Sequence, residues 1–318
     1  MKGLATRHGK VLFEERVDEA AFERILSGLN LKPPVVVKPN WGTSTVFTEA
    51  QILDWVLDYV EGKVVVTESY GWSRSKEMLD GKGLGSKNKG DLRESDRWFL
   101  EYSGIGKVLK KHNVEFINIT EEIWGKRIAE PKEIKTLVGR KFKSLVTSDF
   151  LSAVPKRLYD LRGGTLLSLA KLRLLLDPPA PSLSIKNLFG MVPGPGRWKY
   201  HGKQDSLLAQ SIVDINKVYR SLFHVKGIVE GVYTAVSPGN TARDQTIHED
   251  LGLAWGSEST LDLDAFVSVL LESDPDEIPY LKLAADNFGF WEDQTIPLAK
   301  MSGIRVFPKW NSPKEKQR

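Results

Sequence analysis

Cysteine is absent from the 318 residues of this chain, and methionine occurs only four times. Without cysteine the chain itself cannot form a disulfide, a reactive thiolate, a cysteine-ligated zinc site or an iron–sulfur cluster held by cysteine. Apolar runs also stay well short of the roughly 18 residues needed to span a bilayer, and the first residues lack an apolar signal core. These absences predict a cytoplasmic protein, and the scarcity of cysteine and methionine favours a heat-adapted source.

A large excess of charge of one sign is missing as well. Lys and Arg number 45 against 41 Asp and Glu, which gives a net charge of +4 at pH 7. The two signs are interspersed, as in EEIWGKRIAEPKEIK, and this argues against a basic stripe for nucleic acid. The 41% of hydrophobic and 27% of charged residues are those of an ordinary globular protein.

Buried strands and helices alternate along the chain. The β-branched runs PVVVKPN, from Pro34, and KVVVTES, from Lys63, flank a segment with apolar residues at helical spacing. Such a strand–helix–strand order predicts a parallel sheet. Further strands are predicted in VEFINIT, GGTLLSLAKLR and VKGIVEG. We therefore expect an α/β protein with a mostly parallel sheet flanked by helices, in two lobes, residues 1–150 and 151–318, with one single domain as the alternative.

Two segments lack the patterns of buried strands or helices. Residues 71–97 are rich in glycine and lysine and are interpreted as a loop over the sheet or as an insertion. Residues 133–151 have Gly139 between two apparently extended pieces, which favours a β-hairpin.

Polar side chains follow the predicted strands. Lys38 and Asn40 come after the first strand, Glu68 after the second, and Lys171 and Arg173 end a later one. Ligands of open parallel sheets bind beyond the carboxyl ends of the strands, and a cation beside an amide suits a carboxylate or phosphate. A Pro-Asn dipeptide is equally typical of a turn. Glu68 has three possible uses, as a base, as a metal ligand or as the counter-ion of Lys38.

The densest group of such side chains lies in SLSIKNLFGMVPGPGRWKYHG, residues 182–202. It supplies Lys186, Asn187, Arg197 and His201 among glycines and prolines, whose irregular backbone leaves N–H groups free for a ligand. His201 is the acid–base candidate because imidazole exchanges protons near pH 7.

Together these positions predict a pocket that binds a small anionic molecule. If the protein is an enzyme, the same pocket also transforms that molecule. The catalytic candidates are His201, Lys186 and Glu68, and the binding candidates are Lys38, Asn40, Lys171, Arg173, Asn187 and Arg197. The sequence has no recognised metal motif, and Glu230 and Asp264 are the residues that would serve if a metal were bound. For each residue the alternative is structural: a lysine paired with a carboxylate, or a glycine that shapes a turn.

Four stretches, VVVKPNW, LSIKNLFGMVPGPGRWKYHG, IVEGVYTAVSPGN and LDLDAF, resemble the uncharacterised family called domain of unknown function 362. Its sharpest mark is a Lys-Asn-Leu-x-Gly run followed by a basic residue and a histidine. The resemblance implies roles for Lys38, Asn40, Lys186, Asn187, His201 and Asp264. Two departures stand out. Glu230 replaces a frequent aspartate, and Arg173 replaces a frequent histidine, which weakens any metal site the family shares.

Many members of that family are joined to cysteine-rich, ferredoxin-like segments, which this chain lacks. The resemblance therefore implies that cluster chemistry would need an iron–sulfur partner protein. The alternative function is a non-catalytic binding protein that docks an iron–sulfur protein or nucleic acid, although the net charge of +4 argues against nucleic acid. The sequence identifies no cofactor and no oligomeric state.

Overall fold

The computed structural model describes residues 4–306 except 72, 81, 83–87, 177–178, 238–245 and 249–250. The strands in this part of the chain are β1 (Thr6–His8), β2 (Val11–Glu14), β3 (Val35–Pro39), β4 (Val64–Glu68), β5 (Glu115–Asn118), β6 (Thr165–Leu176), β7 (Pro179–Ser182), β8 (His224–Ser237), β9 (Thr246–His248) and β10 (Leu253–Ser257). They form one sheet of ten strands.

Helices connect these strands. The α-helices are α1 (Glu19–Ser27), α2 (Ala50–Tyr59), α3 (Lys76–Leu79), α4 (Lys89–Tyr102), α5 (Ile105–Lys111), α6 (Ile119–Trp124), α7 (Pro131–Gly139), α8 (Lys156–Tyr159), α9 (Ser184–Asn187), α10 (Leu208–Leu222), α11 (Thr260–Leu270), α12 (Pro279–Phe288) and α13 (Thr295–Met301). Short 3-10 helices cover Ser148–Ser152, Leu188–Met191, Gly196–Tyr200, Lys203–Asp205 and Pro275–Glu277.

The α/β class is confirmed, but the sheet is mixed rather than mostly parallel. Its order is β1-β2-β10-β8-β6-β3-β4-β5, with β7 on β6 and β9 on β8. The strands from β8 to β5 run parallel to their neighbours in this order. The pairings of β1, β2, β7, β9 and β10 are antiparallel. These additional strands are short and lack long β-branched runs, so the sequence pattern does not reveal them.

Alternate residues of the central strands serve two separate cores. Val36 packs with residues of α7, α10 and α12, whereas Val35 and Val37 pack with residues of α1, α2, α4 and α5. This follows from the two-residue period of a strand, which sends successive side chains to opposite faces. Helices therefore cover both faces, and the carboxyl ends of the parallel strands are left to face irregular segments.

Two segments predicted without helices contain them. Residues 71–97 include α3 and the first part of α4, whose Leu92 and Phe99 lie two turns apart and are both buried. The β-hairpin predicted in residues 133–151 is wrong, because most of its first part belongs to α7. There Ile134 and Val138, one turn apart, are buried on the same side. Most of the glycine-rich run from residue 81 to 87 lies outside the described residues.

The sheet includes strands from both sides of residue 150. β3 pairs with β6 from Val35 to Pro39. The core around Val36 includes Ile134 as well as Ile212. The division into two lobes stays a prediction, beside the single-domain alternative. None of the described helices is long and apolar enough to cross a membrane.

Candidate functional site

The ends of β3 and β4 place Lys38 beside Glu68. Lys38 Nζ lies 2.8 Å from Glu68 Oε2 and donates to the Pro39 carbonyl at 2.7 Å. Glu68 also accepts hydrogen bonds from the backbone N–H groups of Trp41 and Ser69. Only 1% of Lys38 is exposed, and burial lowers its pKa against the opposing charge of Glu68. Glu68 is therefore positioned as the counter-ion of Lys38.

Asn187, the last residue of α9, connects that helix to the ion pair. Its Nδ2 donates to the Lys38 carbonyl at 3.0 Å and to Ser168 Oγ at 3.0 Å. Lys38 and Ser168 are direct partners across β3 and β6, so one amide links the two central strands. A Cβ at Gly190 would lie 2.7 Å from Lys38 Nζ and 2.9 Å from Glu68 Oε1. The Lys-Asn-Leu-x-Gly run thus closes over the buried pair, and its glycine is required by the lack of space.

Asp264, from α11, fixes the start of α9. Its Oδ1 accepts from Ser184 N at 3.0 Å, its Oδ2 accepts from Ile185 N at 2.8 Å, and the Ser184 hydroxyl donates to it as well. Burial raises the pKa of Asp264 to about 7, although these hydrogen bonds and the charge of Arg220 oppose the rise. Both carboxylate oxygens are thus used to hold α9 in place.

Arg197 holds the irregular segment after α9 against the end of β4. Its guanidinium donates to the carbonyls of Val192, Gly190 and Tyr70 at 3.0, 3.1 and 3.2 Å, and also to the Ser69 hydroxyl. Ser69 Oγ itself donates to the Gly190 carbonyl at 2.6 Å. The partners of Arg197 are therefore protein groups, most of them in the segment that Arg197 stabilises.

Lys171 is at the centre of a second buried charged group. Its Nζ lies 2.8 Å from Glu230 Oε2, 2.9 Å from Glu49 Oε2 and 3.6 Å from the centroid of the Tyr233 ring. Burial raises the pKa of Glu230 to about 8, and the charge of Glu49 adds to the rise while Lys171 opposes it. Glu230 Oε1 has no hydrogen-bond partner in the described structure. One cation here faces two carboxylates.

Lys186 and Arg173 differ from the other predicted cations because their side chains have no bonded partner within the described residues. Within the described residues, neither side chain has a hydrogen bond or an ion pair, and Arg173 Nε is buried without a partner. Both residues are partly buried. Burial lowers the pKa of Arg173 to about 10. Burial, together with the charge of Arg173, lowers the pKa of Lys186 to about 8. Arg173 pairs in register with Ser182, four residues before Lys186, so the two side chains form a positive region, and Asp205 is the acid whose charge acts on Lys186.

His201 lies near this region and is oriented by Asp205. Its Nδ1 is 2.7 Å from Asp205 Oδ1, and its ring packs edge-on against Phe189 with the centroids 5.4 Å apart. Asp205 also raises the pKa of Lys186, against the dominant effect of burial. Asp205 therefore faces both the imidazole and the amine. Within the described residues no hydrogen bond or ion pair joins His201 to Glu68, its predicted partner.

The predicted site residues divide into groups with different partners. Lys38 is grouped with Glu68 and Asn187, Lys171 with Glu230, and Lys186 with Arg173 and His201. The backbone of Asn40 pairs with Thr48, while its side-chain amide makes no hydrogen bond within the described part of the chain. The sequence analysis did not predict Asp205, Glu49 or Tyr233, which also belong to these groups, because none of them lies in a recognisable motif. The one available signal was the four-residue spacing between His201 and Asp205.

Within the described residues, neither Glu230 nor Asp264 belongs to a group of three side chains that could hold a metal ion. In the described part of the chain, three carboxylate or imidazole side chains come within 4.8 Å of one another at Asp54, Asp58 and His112. There Lys111 Nζ already lies 2.8 Å from Asp54 Oδ1 and 3.3 Å from Asp58 Oδ2. That group is therefore partly neutralised by an ammonium.

The fold and these contacts define a mixed α/β protein with a buried Lys38–Glu68 pair at the ends of β3 and β4 and a buried Lys171–Glu230 contact inside β6 and β8. The strand predicted to end at Lys171 and Arg173 continues to Leu176. The model of one family, Domain of unknown function (DUF362), matches residues 180–268. This match supports the predicted resemblance to that family over the stretch from β7 to α11, while Lys38 and Asn40 lie outside it. No curated protein and no solved structure matches the chain.

Proposed function

We propose that this chain binds a small anionic molecule, a carboxylate or a phosphate, between Lys186 and Arg173. The observation that carries the proposal is that neither of these two side chains forms a hydrogen bond or an ion pair within the described residues, and that Arg173 Nε is buried without a partner. Charged groups removed from water are ordinarily paired, because an unpaired buried charge is costly. A bound anion would supply the missing partner and raise the pKa of both groups.

The two side chains offer complementary chemistry to such a ligand. Arg173 presents a planar fork for two acceptor oxygens, and Lys186 adds a compact charge on a flexible stem. Lys38 and Lys171 are less suited to this role because carboxylates of the protein already bind them. His201, oriented at the edge of this region, is the group we assign to proton exchange with the bound molecule.

The test measures the melting temperature and the dissociation constant of the protein with oxalate and with inorganic phosphate. We expect at least one of these anions to stabilise the native protein. Lys186→Ala and Arg173→Ala should each remove a charge-assisted hydrogen bond worth about 1.5–3 kcal/mol. That loss corresponds to binding weaker by roughly ten- to hundredfold.

Lys199→Ala is the matched control, since Lys199 belongs to the same family-specific segment but pairs with Asp149 at 2.9 Å on the surface. It should bind the anions as the native protein does. Arg173→Lys keeps the positive charge. It serves as the second variant if Arg173→Ala does not fold. Equal stabilisation of all variants, or no stabilisation of the native protein by either anion, would contradict the proposal. Docking of an iron–sulfur protein or of nucleic acid stays an alternative prediction.

A further inference from the structure

Lys186, in α9, differs from Lys38 of β3 and Lys171 of β6. Lys38 and Lys171 are almost fully buried and bound to carboxylates. Lys186 is partly accessible and has no hydrogen bond or ion pair within the described residues. An amine becomes a nucleophile when it loses its proton, and desolvation beside a second cation favours that loss. Burial and Arg173 do lower the pKa of Lys186, to about 8.

The backbone of Lys186 is fixed on both sides. The two residues before it donate their N–H groups to Asp264, at 3.0 and 2.8 Å. The residue after it, Asn187, is hydrogen-bonded to the Lys38 carbonyl and to Ser168 Oγ. The backbone on both sides of Lys186 is thus anchored, whereas its side chain has no hydrogen bond or ion pair within the described residues. A rigid support of this kind is what a reacting group needs to be held in a productive geometry.

We propose that Lys186 captures the carbonyl group of a small oxo acid as an imine while Arg173 binds the carboxylate of the same molecule. This inference rests on the proposed function and narrows its ligand from anions in general to carboxylates that bear a neighbouring aldehyde or ketone. The unpartnered guanidinium supplies the fork for the carboxylate. The unpartnered amine supplies the nucleophile for the carbonyl carbon.

The reaction is balanced without any further reagent. The neutral Nζ attacks the carbonyl carbon, a C–N bond forms, and the carbonyl oxygen takes up a proton to give a carbinolamine. That oxygen then leaves as water, and the remaining N–H proton is lost, so that amine and carbonyl give imine and water. We assign these proton transfers to His201. Its Nδ1 is held by Asp205, and its Nε2 has no hydrogen bond within the described residues.

The experiment traps the imine by reduction. The native protein is incubated with pyruvate and sodium cyanoborohydride, and its intact mass and its peptides are measured. We expect the mass of one reduced pyruvate to be added per chain, on Lys186. Lys186→Arg keeps the positive charge but cannot form an imine, so its labelling should fall to background. Lys199→Arg, the matched control, should be labelled on Lys186 as the native protein is.

Oxalate, which has two carboxylates but no ketone or aldehyde, separates this inference from the proposed function. Stabilisation by oxalate without trapping of pyruvate would overturn the imine and leave anion binding intact. Label spread over surface lysines, or equal label in Lys186→Arg, would also overturn it. Failure of both oxalate binding and trapping would overturn both proposals.

Discussion

Glu230 is a buried acid whose neutral form is favoured by the fold. Its pKa is raised to about 8 chiefly by burial, although Lys171 lies 2.8 Å away. In the unfolded chain a glutamate titrates near pH 4.3, so the folded protein binds the extra proton between about pH 4.5 and 8. Because the folded state then holds more protons than the unfolded state, the contribution of Glu230 to stability falls as pH rises through this window.

Glu230→Gln should remove this contribution, since glutamine stays neutral. We expect the difference in free energy of unfolding, variant minus native protein, to increase with pH between about 5 and 8. Its slope should be on the order of 1 kcal/mol per pH unit. Urea unfolding at several pH values measures it. Glu277→Gln makes the same chemical change at an exposed residue and should show no such slope. A difference that does not vary with pH would rule out a protonated Glu230.

At the scale of the element, α9 and the 3-10 helix after it form a cover over the ends of β3 and β4. Asp264 holds the first residue of the cover, Asn187 joins it to two strands, and Arg197 secures its far end. Gly190 is the point of closest approach, since any Cβ there would meet Lys38 and Glu68. The cover can therefore approach the ion pair this closely because residue 190 has no side chain.

Gly190→Ala should destabilise the protein, because the added methyl group forces the buried ion pair or the cover to shift. Overpacking of this kind costs typically about 1–3 kcal/mol. Urea unfolding at neutral pH measures the change. Gly196→Ala is the matched control in the same segment, because a Cβ there meets nothing within 4 Å. An unchanged unfolding midpoint for Gly190→Ala would mean that the cover is not closed in solution.

At the scale of the whole molecule, one sheet and its cores draw on residues from both sides of residue 150. Ile134 and Ile212 are almost completely buried in the same core. We therefore expect tryptophan fluorescence and far-ultraviolet circular dichroism to report one coincident unfolding transition. Ile134→Ala and Ile212→Ala should each shift that whole transition, by about 2–5 kcal/mol. Two transitions, each moved by one variant only, would support the two-lobe division instead.

The parts of the fold that the sequence predicts are those with a strong local pattern. β3, β4, β6 and β8 have long apolar runs, and the apolar residues of α10 recur at helical spacing, so composition and period agree. β10 and the β1–β2 hairpin have no such run, and their place in the sheet depends on pairing with β8. Strand pairing of that kind is set by contacts between distant segments, which a local pattern does not contain.

The sequence alone determined which ionisable residues stand at the strand ends and in the family-specific segment, because residue type and order are local facts. Only the tertiary structure decided which of those charges are neutralised. Asn187 meets Lys38 across 149 positions, and Lys171 meets Glu230 across 59. Burial strengthens such pairs and penalises the charges left without one. Lys186 and Arg173 stand out because their side chains form no hydrogen bond or ion pair within the described residues, which a sequence motif does not reveal.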